Sequence, residues 1–324
     1  MVHGHVVTLA GRRVVTLLGS RRHHRELVRA LDTSTPRRRL VRGALLAATT
    51  VRALPLIARR AEADEVVTTC LRAIEDGHGR VAAVMVAWPA GDRTHRRYLF
   101  VTAPDGRPLA FAKVSTRPDD DGAELRREAE LLREVGRRTL GVVVPAVLAL
   151  VDTPTMVAVV LEPIPTARAH LTWDEVLGLL PLDATSGPRS AESQDDVVDV
   201  EPPTTTGSAS FRALMASGPA GGSGLAHGDL RPSNAVRAEG RVWLFDWEYG
   251  SLDAPAYVDL ASAVLTQRVE SDTVSTPQEV LDDVLAALAA RGVPAAEAAR
   301  AVGYLAGTGQ PWAVKVVGER WPAP

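Results

Sequence analysis

The sequence predicts an α+β chain in two parts, a strand-rich first part and a mainly helical second part. Three observations carry this. The 324 residues exceed one small domain and suit two lobes. Between residues 81 and 161, three apolar strand runs, a helix and two more strands follow one another. After residue 250 the pattern is helical almost throughout.

Residues 1–19 alternate weakly and suit a small hairpin turning at Gly11-Arg12, and residues 20–34 read as helical. Arg37 to Arg60 is basic and apolar and reads as one or two helices broken near Pro55. Glu62 to Glu75 is a clearer helix, with Val66, Val67, Cys70, Leu71 and Ile74 on one face and Gly77-His78-Gly79 at its end. Strands are expected at Val81–Trp88, Tyr98–Thr102 and Leu109–Val114, the last two joined by a Pro104-Asp105-Gly106 turn. A helix from Ala123 to Arg137 precedes a strand pair at Val147–Val151 and Met156–Leu161. Leu161-Glu162-Pro163-Ile164-Pro165 is a stiff crossover. A short helix then starts behind Thr172, a good N-cap. Residues 183–207 are polar and low in complexity and read as a flexible insert. Ser208–Ser217 reads as a brief helix, and further helices are expected at Ala254–Val269, Pro277–Arg291 and Pro294–Leu305.

Bulk properties narrow the function classes. Composition is globular, at 46% hydrophobic and 23% charged. The single cysteine, Cys70, excludes an internal disulfide and a thiolate metal site and suits a reducing compartment. No apolar run has the form of a secretory signal or a membrane span, so a cytoplasmic protein is expected. Thirteen arginines in residues 1–60 stand against Glu26 and Asp32, while the remainder has 24 basic and 37 acidic residues. That asymmetry points to a peripheral membrane or acidic-partner contact through residues 37–60. A helix packed on the neighbouring lobe with its arginines exposed is the plainer reading. Nucleic acid is not expected, because aromatic interleaving is absent. Lysine occurs only at Lys113 and Lys315, so Lys113 marks a place where a compact ammonium is needed.

The chemistry concentrates between Leu225 and Gly250. His227-Gly228-Asp229-Leu230-Arg231-Pro232-Ser233-Asn234 forms a loop. A hairpin follows, with Ala235–Arg237 and Arg241–Phe245 as strands and Ala238-Glu239-Gly240 as the turn, delivering Asp246 at its end. Asp229, Asn234 and Asp246 would converge as an oxygen-rich cluster suited to Mg²⁺.

HGDLRPSN followed by FDWE resembles the aminoglycoside phosphotransferase and choline kinase-like family. FAKVS and ELRREAELLREV extend the resemblance, since Lys113 and Glu128 match the strand lysine and helix glutamate of the kinase fold. The resemblance covers roughly residues 80–320. It implies a two-lobed protein-kinase-like fold, with an N-lobe at 77–162 and a C-lobe at 163–324; residues 1–76 lie outside it and read as an extra, mostly helical, basic N-terminal arm. It also implies a small-molecule kinase that uses ATP or GTP and Mg²⁺ to phosphorylate a hydroxyl of a sugar, amino alcohol or aminoglycoside-like substrate.

In that reading Asp229 is the catalytic base, and Asn234 and Asp246 hold Mg²⁺. Lys113 neutralises the inner phosphates, with Glu128 fixing its rotamer. His227 braces the loop. Arg231 either faces the γ-phosphate or is solvated. The hinge backbone around Glu162 recognises the adenine. Asp253 reads as a cap and Asp259 as an anchor for the catalytic loop. Trp247 and Glu248 border the substrate cleft or simply pack. The phosphate-covering loop, Trp88 to His95, carries only Gly91 and no glycine-rich pattern. That departure keeps a second reading open, a nucleotide-binding pseudokinase scaffold. Glu270, Asp272, Asp282 and Asp283 are candidates for acceptor binding.

Overall fold

The computed structural model describes residues 3–9, 12–20, 23–29, 36–50, 59–88, 95–138, 141–165, 168–180, 223–271 and 276–308. The chain divides into two compact units, Met1–Arg133 with Pro145–Ala167, and Glu134–Val144 with Arg168–Pro324.

The first unit is built on an eight-stranded antiparallel sheet. Its strands are β1 (His3–Leu9), β2 (Arg12–Gly19), β3 (Arg59–Glu62), β4 (Ala83–Ala87), β5 (Arg96–Thr102), β6 (Pro108–Ser115), β7 (Val147–Thr153) and β8 (Met156–Leu161), in the order β3-β1-β2-β4-β5-β6-β8-β7. The alternation of each strand divides its side chains between two faces. One face presents Val84, Val86, Leu99, Val101, Ala110, Ala112, Val114, Ala158 and Val160. It is covered by helix α3 (Glu65–His78) through Val67, Cys70, Leu71 and Ile74, the stripe expected from the sequence. Asp64 caps α3 by accepting the Val67 N–H at 3.0 Å, and Gly79 closes it at φ 107°. On the other face, Val15, Leu17, Ala83 and Met85 meet Leu27 and Val28 of α1 (His24–Arg29) and Leu45 and Ala48 of α2 (Pro36–Thr50).

The hairpin expected over residues 1–19 forms as β1 and β2, and helices follow it; what the sequence did not foresee is that these strands belong to the first unit's sheet. Helices α1 and α2 form, but β1, β2 and β3 extend the same sheet, with β2 hydrogen-bonded to β4 from Val15↔Ala87 to Gly19↔Ala83. Arg59–Glu62, read as the end of a helical stretch, is an edge strand whose partner lies more than fifty residues earlier in the chain. Local periodicity carries no trace of such a distant partner.

In the second unit, β9 (Ala169–His170), β11 (Ala235–Ala238) and β12 (Arg241–Leu244) form a small sheet in the order β12-β11-β9. The β11–β12 turn uses Glu239 at φ 53° and Gly240 at φ 72°, the left-handed pair that matches hairpin twist. Strands β10 (Ser223–Ala226) and β13 (Ser251–Pro255) pair antiparallel. The helices are α5 (Trp173–Gly178), α6 (Val258–Ser271), α7 (Pro277–Ala289) and α8 (Ala295–Gly307). Thr172 and Thr276 each form a capping box, with Glu175 and Glu279 respectively. The helix expected from Ala254 begins only at Val258, because residues 251–255 are recruited as β13. Asp253 accordingly lies on a strand, five residues ahead of the helix it was expected to cap. The insert at 183–207, the helix expected at Ser208–Ser217 and most of the Trp88–His95 loop, Gly91 included, lie outside the described residues.

Candidate active site

Helix α4 (Asp120–Gly136) lies against the first unit's sheet and carries Glu128. Lys113 sits on β6, and its Nζ donates to Glu128 Oε1 at 2.7 Å. Both residues are buried, at 4% and 1% exposure. Alternation on β6 sends Ala112 and Val114 into the α3 core and Lys113 to the opposite face. A buried ammonium requires a partner of this kind, since an uncompensated charge costs several kcal/mol inside a protein.

Glu162 follows β8 directly. Its backbone N–H donates to Ala146 O at 2.8 Å, and its side-chain Oε2 accepts the Ala146 N–H at 3.3 Å. Its side chain is thus engaged in tying the two strand ends together.

In the second unit, the HGD loop connects β10 to a single 3₁₀ turn, Pro232–Asn234, and then to β11. The loop is held from within by one buried carboxylate. Asp259, in the first turn of α6, accepts the backbone N–H of His227 at 2.8 Å and that of Gly228 at 2.6 Å. Burial pushes its carboxyl up to about 6, against the two N–H donors that pull it down. Ser262, one turn further along α6, donates to Gly228 O at 3.0 Å. Gly228 is at φ 80°, and a Cβ there would lie 2.2 Å from Tyr249 O, so only glycine lets the two segments approach.

His227 Nε2 donates to Phe245 O at 3.0 Å, which leaves Nδ1 to accept the Asp229 N–H at 3.3 Å. Its ring packs on Trp247 at 4.5 Å between centroids. His227 is a brace with both nitrogens used, as expected from the sequence. Trp247 is buried and donates from Nε1 to Leu244 O at 3.2 Å.

Asp229 is 4% exposed. Its Oδ2 accepts from Asn234 Nδ2 at 3.0 Å and lies 3.2 Å from Arg231 Nη2. Its Oδ1 is buried and has no hydrogen-bond partner among the described residues. Burial pushes the carboxyl up to about 7; Arg231 and the Asn234 bond pull it down, and Asp246 and Glu248 push it further up. Asn234 Nδ2 also donates to Asp229 O at 2.9 Å, which directs its Oδ1 toward Ser233 Oγ at 3.2 Å. The Phe245 N–H donates to Asn234 O at 3.1 Å, so the end of β12 is tied to Asn234 and Asp246 follows at once. Asp246 is at φ 70°, a left-handed conformation that Asp tolerates better than most residues and that persists where neighbours impose it.

The amide oxygen of Asn234 and the carboxylate of Asp246 are hard donors, and Asp246 and Glu248 add to the rise that burial imposes on Asp229. They suit a cation such as Mg²⁺, which takes few protein ligands and draws the rest from water and substrate phosphates. Among the described residues no group of three or more His, Cys, Asp or Glu forms a protein metal cage.

The remaining candidates are placed as follows. Asp283 pairs with Arg268 at 2.6 Å and Asp282 accepts from Gln278 at 2.7 Å, both on exposed helical surface. Glu270 lies exposed near the end of α6, and Asp272 is outside the described residues. No described helix is long and apolar enough to cross a membrane. The sequence reading had no signal for Ser262 or for the close approach of Gly228 to Tyr249, because both depend on which segments meet.

No protein-family model matches the chain, and no curated protein matches it. Among solved structures, a putative fructosamine-3-kinase from Haemophilus somnus 129PT is similar at 10% identity, over 76% of this chain and 96% of that one, with a TM-score of 0.40. A second, described as a kinase domain, is similar at 12% identity over 57% of this chain and 62% of that one, with a TM-score of 0.31. Likenesses this low bear on neither activity nor substrate, and the residues of this chain have to speak for themselves. Taken unit by unit, the chain has an antiparallel sheet whose strand lysine pairs with a helix glutamate, and a mainly helical unit around an HGD loop.

Proposed function

We propose that this protein is a small-molecule kinase, which transfers the γ-phosphoryl group of ATP or GTP to a hydroxyl. One observation carries the reading: Asp229 is buried with one oxygen anchored and the other, Oδ1, without a hydrogen-bond partner among the described residues. A buried acceptor left in this state suits a carboxylate that receives a proton from a substrate hydroxyl. The acceptor oxygen forms its bond to the γ-phosphorus as the bond to the β–γ bridging oxygen breaks. The hydroxyl proton passes to Asp229 Oδ1, and the nucleoside diphosphate leaves. Lys113, held by Glu128, serves the inner phosphates. Asn234 and Asp246 would hold Mg²⁺, which neutralises charge on the phosphate oxygens when bound.

The test is turnover of ATP and GTP with Mg²⁺ against a panel of sugars, amino alcohols and aminoglycosides. Asp229→Asn is expected to lower turnover about 10²–10⁴-fold. An Asp229→Asn enzyme as fast as the wild type would sink the mechanism. Mg²⁺–nucleotide binding without turnover on any acceptor would instead identify a nucleotide-binding scaffold.

A further inference from the structure

Four residues stand in one straight row across the first unit's sheet. Arg96 of β5 is opposite Ser115 of β6, Ser115 is opposite Val157 of β8, and Val157 is opposite Asp152 of β7. Directly opposed residues of antiparallel strands share a face. The first turns of α4 lie along this row. Gly122 approaches Val157 so closely that a Cβ would stand 2.8 Å from Val157 Cγ2. Glu124 pairs with Arg96 at one end. Arg126 donates from Nε and Nη2 to the two Asp152 oxygens at the other end, each at 2.7 Å. Lys113 lies two residues along β6 from Ser115, on the same face, and Glu128 lies one turn along α4 from Glu124.

Arg96 is fully buried, unlike the exposed Arg126–Asp152 pair. A guanidinium taken wholly out of water is expensive, and its planar fork fixes the geometry of the carboxylate it meets. Its neighbour Arg97 points to the opposite face and pairs with Asp64, the cap of α3, so consecutive residues of β5 each tie down a different helix.

We infer that Arg96 is a positioning residue: through Glu124 it sets the register of α4 on the sheet, so that Glu128 meets Lys113. The Asp152–Arg126 pair steadies the other end of the row. This rests on the reading of Lys113 and Glu128 as the nucleotide-phosphate pair. It assigns to Arg96 a role that no local pattern around it singles out.

The test uses the full-length protein with Arg96→Met/Glu124→Leu, which exchanges the buried guanidinium and its half-exposed carboxylate partner for apolar groups, and the milder Glu124→Gln. Three quantities are measured: unfolding midpoint, hydrogen–deuterium exchange of the α4 amides, and affinity for Mg²⁺–ATP by calorimetry. The expected result is a retained midpoint, faster exchange across α4 and ATP binding about tenfold weaker. Arg97→Met serves as the control; it loosens α3 and leaves ATP affinity unchanged. If the double variant does not fold, Glu124→Gln decides by the same exchange and affinity readings. Wild-type exchange in α4 with wild-type ATP affinity in either folded variant overturns the inference. If the wild-type protein binds no nucleotide, the kinase reading fails, while α4 exchange still decides the role of Arg96.

Discussion

Glu128→Leu removes the carboxylate that the Lys113 ammonium faces at 2.7 Å, in a place where the two side chains are 5% and 0% exposed. Taking one partner from a buried ion pair costs about 3–5 kcal/mol, because the remaining charge has lost its compensation and water cannot reach it. Lys113→Met takes away the other charge and falls in the same range. Replacing both at once, Lys113→Met/Glu128→Leu, removes both desolvation costs and is expected to return stability to within about 1 kcal/mol of wild type or above it. The Arg268–Asp283 pair, 37% and 50% exposed, is the internal comparison, with an expected effect of about 0.2–1 kcal/mol when broken. Urea unfolding of the four variants and the wild type measures all of these. Nucleotide binding separates stability from function, since the double variant folds but loses the Mg²⁺–ATP-induced thermal shift. If Glu128→Leu costs less than about 1 kcal/mol, the pair is not the buried, mutually compensated unit described here.

Gly228→Ala forces a Cβ to within 2.2 Å of Tyr249 O at φ 80°, so a loss of more than about 1–2 kcal/mol and of activity is expected by thermal unfolding and turnover. Asp259→Ala strips the acceptor from two backbone N–H groups, and a loss of about 1.5–3 kcal/mol for each is expected in denaturant melts. The Asp259 carboxyl rises from 3.8 to about 6 on folding, so the folded state binds its proton more tightly. Wild-type stability relative to Asp259→Asn should therefore fall as pH rises from about 4 to about 6 and then level off. An opposite slope would refute the assignment. Burial pushes the Cys70 thiol up to about 12, so a thiol reagent at pH 8 should label the unfolded chain and spare the native one.

Much of the local architecture is legible in the sequence, because each feature is encoded by residues close together. The α3 stripe from Val67 to Ile74, the Thr172 cap and the β11–β12 hairpin with its Glu239-Gly240 turn all follow from spacing of at most a few residues. The residues of the proposed site, Lys113, Glu128, Asp229, Asn234 and Asp246, could likewise be picked out as a set, since a rare lysine, carboxylates and an amide are residue types before they are positions. Tertiary structure alone decided which distant segments share a sheet and which side chains meet across it. It joined the β1–β2 hairpin and β3 to the large sheet, and it drew Ala254 and Pro255 out of the expected helix into β13. It also set Ser262 against Gly228 O, set Arg96 in a row with Ser115, Val157 and Asp152, and left one oxygen of Asp229 without a hydrogen-bond partner among the described residues. The physical reason is common to all of these. Pairing, burial and the desolvation of a charge depend on partners tens of residues away, and a local pattern contains no information about which partner will arrive.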